Sequence, residues 1–410
     1  MKLVPALLVL LLCGAAEAAC SLPGSSAGSV VIFVNAPFAA SPWVGRAGRQ
    51  GAQLAADEIN NRSGVRVRGA TYRINVHTAD HQGSTATAVS NVRAAVRQRA
   101  VAVIDDGSTA EATAAVAGQA GLPLLVYFDG TTALVDPGTR PNVFRLAPSN
   151  EALAGRLAPY LTGKGLRLAL VHDDTASGTD GGVQLRRAIA SSGAAAVTDV
   201  EVHAGQTAYG REVSQIASGP ATAVVVWAGP AVVAGVVKAL REQGSRLPVY
   251  TGPTGEDPSV RIALASRPDW LQGVTFTSLR ITDAAGLPRW IKFRQRYETL
   301  YGEDKLPIGQ VVRRPVVQPP DWQMLSYGMV YLVKAALEQA GTTDPADGRL
   351  LRALTGVQVQ AANGATIGWT GAGHEGIPPD QVSFAVILNL NFQPVQDDPV
   401  SRAQPQIEQD

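Results

Sequence analysis

The sequence predicts an α/β chain folded into two doubly wound parallel-sheet lobes, and three observations carry this. Apolar strand-like runs alternate with helical segments, the βαβ repetition that yields a parallel sheet with helices on both faces. The alternation starts afresh after Phe144-Arg145-Leu146. The length, 410 residues, exceeds the roughly 250 to 300 at which a single core stops growing.

The first series reads Val30-Val34, a helix near 46–61, Arg73-Thr78, a helix near 84–98, Ala102-Ile104, a helix near 109–119 and Leu124-Tyr127. In its first helix Ala52, Ala55, Ala56 and Ile59 recur at helical spacing, Asp57 and Glu58 face away, and Asn60 to Gly64 supplies the stop. So small a face predicts close packing against a sheet. The loop before it, NAPFAASPWVGR, sets Phe38 and Trp43 at the carboxyl end of the first strand, where open α/β sheets bind ligands.

The second series reads a helix near 150–162, Leu168-Val171, a helix near 179–192, Val197-Val202 and a helix near 210–217. Ala223-Trp227, a helix near 230–243 and Val249-Tyr250 complete it. Two later amphipathic segments, Leu287 to Tyr301 and Trp322 to Gln339, need a surface to cover. The chain is therefore expected to return to lobe 1 (30–147 plus 279–355) and then to lobe 2 (148–278 plus 356–394), ending in strand Val382-Leu388. Arg313 to Pro320 is held extended by its prolines as a surface loop, and 395–410 reads as a mobile tail.

Residues 1–19 carry Lys2, the apolar run Leu3 to Leu12 and small residues ending Ala16-Glu17-Ala18, the layout of a secretory signal. No later run approaches 20 apolar residues, so the mature chain is expected outside the cytoplasmic membrane, in the periplasm, with 20–29 a flexible tether. Both cysteines, Cys13 and Cys20, lie in or at the end of the signal, which leaves no internal disulfide. Two processing routes are open: lipidation at Cys20, which heads a lipoprotein-like tether, or ordinary cleavage after Ala16-Glu17-Ala18. A net charge of +1, from 35 basic and 34 acidic residues, supplies no field for nucleic acid or anionic membrane.

Gly51-Ala52 with Ala55-Ala56 and Glu58-Ile59-Asn60 is followed by Asp80, Gly107-Ser108, Pro123, Phe144-Arg145, His172-Asp173-Asp174 with Gly178, Gly244 and Ser326-Tyr327. In that order and with those gaps, over nearly the whole mature chain, the sequence resembles the type I periplasmic binding proteins, specifically the branched-chain amino acid (Leu/Ile/Val) binding family of ABC transporters. The resemblance implies two lobes closing on a hinge around a small ligand, recognition rather than catalysis, no cofactor, and a permease as partner.

It also implies roles for particular residues. Ser108, where the third strand runs into a helix, takes the position that contacts the ligand carboxylate, and a helix N-terminus favours an anion there. Thr131 and Thr132, after the fourth strand, offer backbone and hydroxyl contacts to the ligand head group. Trp43 matches an aromatic that covers the ligand. Helix capping is the alternative for the hydroxyl residues, and lobe packing for Trp43.

The second lobe departs from the amino-acid pattern. Ser177 stands before Gly178 where the family often has Tyr. Gly252-Pro253-Thr254-Gly255 stands where an acidic residue would pair the ligand ammonium, with Glu256 and Asp257 displaced. An unpaired buried ammonium is costly, which puts a standard α-amino acid in doubt. Trp227 is either a second aromatic wall or plain core, and an aromatic or aliphatic acid or a neutral amide fits as well as Leu, Ile or Val.

Other chemistries find little support. His77 and His81 with Asp80 fall at a strand end, without the helical spacing of a metal site. Gly371 to Gly376 satisfies GxGxxG by letter, but Ile377-Pro378-Pro379 forbids the helix that would receive a pyrophosphate. No nucleophile elbow occurs, and His172 beside Asp173 reads as a strand end facing the cleft. The expected function is solute capture for an ABC permease, with a ligand sensor of the same fold feeding a signalling partner as the alternative.

Overall fold

Two sheets with the same internal strand order make the two lobes in the computed structural model, which describes residues 27–194, 196, 198–279, 288–301, 321–370 and 373–402. Cys20, the proline-rich 313–320 segment and the start of the GxGxxG match lie outside the described residues.

The first sheet holds β1 (Gly28–Ala36), β2 (Val65–Val67), β3 (Ala70–Asp80), β4 (Ala100–Asp105), β5 (Leu124–Val126) and β6 (Val143–Arg145). Their order is β2-β3-β1-β4-β5-β6, parallel throughout except for the β2–β3 pair. Val30, Ile32, Phe33 and Val34 are all buried, so β1 is covered on both faces, as its continuous apolar run requires. The winding reverses between β1 and β4, which places the ligand crevice of this lobe at Ala36 and Asp105.

Helix α1 (Pro42–Arg62) begins four residues before the expected 46, because Pro42 is pre-set for a first helical turn. Trp43 is thereby moved from a loop into that turn. The small face of α1 meets more than the sheet: a Cβ on Gly48 would stand 2.8 Å from the Tyr127 ring, and one on Gly51 would stand 2.0 Å from Ser326 Oγ and 2.2 Å from the Gln323 carbonyl. Both of the latter belong to a helix far along the chain, Asp321–Ala340. The Ser326 hydroxyl donates to the Ala47 carbonyl at 2.8 Å across this contact. Helices α2 (Thr85–Arg97) and α3 (Ala110–Gln119) complete the first winding.

The second sheet holds β7 (Leu168–Asp173), β8 (Thr198–Val202), β9 (Ala223–Trp227), β10 (Val249–Thr251) and β11 (Thr275–Ser278), wound with α4 (Asn150–Thr162), α5 (Ala176–Ser191), α6 (Gly210–Ser218), α7 (Pro230–Glu242) and α8 (Pro258–Ala263). After α9 (Pro288–Tyr301), α10 (Asp321–Ala340) and α11 (Arg349–Leu354) come a hairpin, β12 (Gln358–Gln360) and β13 (Thr366–Gly368), and then β14 (Ser383–Leu388) and β15 (Asn391–Pro394). The sheet order is β15-β14-β11-β10-β9-β7-β8, with β14 antiparallel to β11. Its winding reverses between β7 and β9, at Asp173 and Trp227.

The expected mobile tail is corrected for residues 395–402. Val395 N donates to the Phe384 carbonyl at 3.1 Å, Arg156 pairs with Asp398 at 2.5 Å, and Asp398 accepts from Ser401 N at 2.8 Å, which anchors a last turn, α12 (Pro399–Arg402).

Candidate functional site

The turns at the carboxyl ends of the parallel strands are built by side chains folded back onto the backbone. At the end of β4, Asp105 is fully buried. It accepts from Asn35 Nδ2 and from Gly107 N, each at 2.8 Å. Burial, joined by the charge of Asp106, pushes its pKa up to about 7 against the pull of those two bonds. Asp106 is paired with the buried His81 at 3.0 Å. Gly107 sits at φ +100°, and a Cβ there would stand 2.6 Å from Asp129 Cβ, so only glycine lets the β4 and β5 turns touch. Ser108 follows, exposed at the rim, and Thr109 is the N-cap of α3 without a side-chain cap bond.

The β5 turn is held from two sides. Asp129 Oδ1 accepts from Thr131 N at 2.8 Å and from the Thr131 hydroxyl at 2.7 Å. Arg145, fully buried, donates through Nη1 to the Asp129 and Thr131 carbonyls at 3.3 and 2.6 Å, and its other nitrogens grip Glu375 at 3.0 and 2.5 Å. Such a bidentate pair fixes direction as well as charge.

Thr132 leaves its own lobe altogether. Its N–H and hydroxyl both reach Asp180 Oδ2 on α5, at 2.9 and 3.1 Å. Asn150 Nδ2, opening α4, donates to the same oxygen at 2.9 Å and to the Ser177 carbonyl at 3.1 Å, while Gln184 holds Asp180 Oδ1 at 3.2 Å. The turn that the sequence offers to a ligand head group therefore cradles a carboxylate of the opposite lobe. Ser177 enters this junction chiefly through its carbonyl, with its hydroxyl oxygen 3.5 Å from the same Asn150 Nδ2.

On the second lobe Thr254 donates to the Ala228 carbonyl at 2.7 Å, tying the β10 turn to the β9 turn. Glu256 and Asp257 are both buried and serve the fold: Glu256 accepts from Asp321 N at 3.0 Å, and Asp257 caps α8 through Ser259 N at 2.7 Å. Trp227 is corrected from pocket wall to core. It is 4% exposed, and a Cβ on Gly181 would stand 2.0 Å from its Nε1, with one on Gly252 at 3.3 Å from its ring. Gly181→Ala is expected to destabilise the chain by about 1–3 kcal/mol through overpacking, read as an earlier urea midpoint. His172 is likewise buried, with a Cβ on Gly182 only 2.8 Å from its ring, so it lies under α5 instead of facing the cleft. Trp43 is half-buried, with the Arg46 guanidinium 4.9 Å over its ring.

Asp180, Asn150 and Arg145 carry the geometry; the sequence marks Arg145 only as part of a motif, and Asp180 and Asn150 not at all. Asp180 lies one helical turn beyond Ser177, and that spacing was the available signal. Among the described residues, no group of three or more His, Cys, Asp or Glu is placed to hold a metal, and no helix is long and apolar enough to cross a membrane.

The two like-wound lobes are joined through strand-end turns, and the family model described as periplasmic binding protein matches residues 32–385. The chain is a periplasmic binding protein. A search of curated proteins finds no match. Among solved structures this binding protein is similar to the leucine binding protein LivK of Thermotoga maritima, at TM-score 0.74 and 18% identity, covering 89% of this chain and 97% of that one. It is also similar to the branched-chain amino acid transporter substrate binding protein LivJ of Streptococcus pneumoniae in complex with isoleucine, at TM-score 0.74 and 19% identity, covering 89% and 98%. A solute binding protein of an ABC transporter from R. palustris in complex with benzoate gives TM-score 0.73 and 15% identity, covering 92% and 100%. At these identities the likeness establishes the type I fold.

Proposed function

We propose that this binding protein captures a small organic molecule, a carboxylate, an amide or an amino acid-like compound, outside the cytoplasmic membrane and delivers it to an ABC transporter permease. The observation that carries the reading is the Asp180 carboxylate seated on the Thr132 N–H and hydroxyl at 2.9 and 3.1 Å. A turn that holds one carboxylate between the lobes has the donors to hold another. Relatives of the fold bound to isoleucine and to benzoate support both ligand classes, and the internal use of Glu256 and Asp257 favours an acid without an α-ammonium.

In this reading Ser108, Thr131 and Thr132 offer the lobe 1 contacts, and Trp43 covers the ligand. Ser177 and Thr254 shape the lobe 2 side, and Trp227 supports that wall from within the core. The chain crosses between lobes near Ala147-Pro148 and again after Ser278, and these crossings bend on closure. The role is binding without turnover, in the periplasm, with lipidation at Cys20 and ordinary signal cleavage as the two processing routes.

The test is thermal stabilisation of residues 21–410 by leucine, isoleucine, benzoate, aliphatic carboxylates and their amides. A ligand at 100 times its dissociation constant should add about 2.7 kcal/mol. Carboxylates lacking an α-amine are expected to raise the melting temperature most. Stabilisation by leucine and isoleucine alone would contradict the preference for an acid without an α-ammonium, and no stabilisation by any of them would contradict solute capture of these classes.

A further inference from the structure

A concave site of about 390 Å³ lies on the first lobe where the end of α1, the start of α9, α10 and the β12 hairpin meet. Phe293, Tyr327 and Tyr331 give it aromatic walls, and Arg62, Arg289 and Lys292 also line it. The Tyr327 ring stands 5.1 Å from Phe293, edge to face, and 5.1 Å from Tyr331. Helix α1 starts beside the strand-end crevice at Pro42 and reaches Arg62 about 30 Å further on, at 1.5 Å per residue. The site therefore stands apart from the turns assigned to solute capture.

Its charges do not balance. Glu58 is the one acid of the lining, is 8% exposed, and is already engaged by three donors. The Tyr327 and Tyr331 hydroxyls both donate to its Oε2, the second at 2.7 Å, and Arg296 pairs with its Oε1. Arg62, Arg289 and Lys292 are exposed, and among the described residues they pair with no carboxylate. Three uncompensated cations around one concavity draw anions, and a guanidinium offers a planar fork that matches a carboxylate or a phosphate. With both phenol hydroxyls turned to Glu58, the tyrosine rings serve the site as apolar surface. A volume within roughly 300–1,000 Å³, aromatic walls and a few charged groups suit a small molecule.

We propose that this concavity is a second ligand site, for a small aromatic dianion such as a benzenedicarboxylate or an aryl phosphate. Arg62, Arg289 and Lys292 hold the two negative charges, and Phe293, Tyr327 and Tyr331 flank the ring. The ligand touches four elements that are distant in sequence, so its binding also stabilises the first lobe.

The experiment is calorimetric titration of residues 21–410, at low salt, with isophthalate, phenyl phosphate, benzoate, glutarate and dimethyl isophthalate. These compare two charges on a ring with one charge, with two charges on no ring and with no charge. Isophthalate or phenyl phosphate is expected to bind, and to lose about tenfold or more in affinity in the double variant Arg289→Gln, Lys292→Gln, whose positions are exposed and spare the core. Thr132→Val, in the capture turn, and Lys238→Gln, which removes an exposed charge from α7 of the second lobe, should leave that affinity unchanged. Whichever aromatic dianion binds more tightly separates carboxylate from phosphate as its head group. No binding of either, an affinity unmoved by the double variant, or an equal loss for benzoate or glutarate overturns the proposal. Binding that falls with Thr132→Val alone belongs to the capture turns and overturns it as well, leaving the capture reading intact.

Discussion

Gly51→Val is expected to be the most damaging single substitution in the first lobe, lowering stability by about 3 kcal/mol or more. Even a bare Cβ would stand 2.0 Å from Ser326 Oγ and 2.2 Å from the Gln323 carbonyl, and the second of these is backbone that cannot swing away. Relief requires α1 and α10 to separate, which breaks the Ser326–Ala47 hydrogen bond of 2.8 Å and opens a face where Ala47, Ala52 and Leu54 are at most 1% exposed. At about 2–4 °C per kcal/mol for lobes of this size, the melting temperature should drop by roughly 10 °C. A fall of only a degree or two would mean that the two helices pack less tightly than these distances state.

Thr132→Val and Asp180→Asn are expected to move ligand affinity in opposite directions. Valine removes a hydroxyl that donates to a carboxylate, and hydrogen bonds to charged groups contribute about 1.5–3 kcal/mol, so carboxylate affinity should fall by about tenfold or more. Asp180 now occupies those donors, and an incoming carboxylate must displace it or lie beside a like charge. Asparagine removes that charge while keeping the shape, and carboxylate affinity should rise by about tenfold. Calorimetric titration of both variants with the ligand that most stabilises the parent chain checks the pair. Tighter binding to Thr132→Val, or weaker binding to Asp180→Asn, would contradict the assigned roles.

The strands and helices were legible because alternating apolar runs and Gly-containing turns are local signals. Strand Ala223–Trp227 and helix Asn150–Thr162 have the bounds that the sequence predicts. Strands of three or four residues such as Val65–Val67, Thr275–Ser278 and Gln358–Gln360 are too short to show a period, and pairing with distant neighbours defines them. The alanine and glycine face of α1 was legible as a close contact, but half of its partner was not, since Ser326 lies 279 residues from Ala47.

The site divides in the same way. The turns holding Ser108, Thr131 and Thr132 were legible because parallel strands deliver their carboxyl ends to one edge. Asp180 was not, because an acidic residue on a helix looks like any solvated face until the opposite lobe meets it. Trp227 stays open between wall and core in the sequence for want of one observation: Gly181 and Gly182, following Gly178 on α5, leave room for the Trp227 and His172 rings. Arg145 was noted as part of a motif, and its role depends on Glu375, 230 residues away.

Small-angle X-ray scattering of the chain with and without benzoate, isoleucine and leucine tests capture by lobe closure most directly. The radius of gyration is expected to fall with the compound that raises the melting temperature most, and Thr132→Val should need a higher concentration for the same fall. Binding of that compound with an unchanged radius of gyration would contradict closure of the two lobes around a solute.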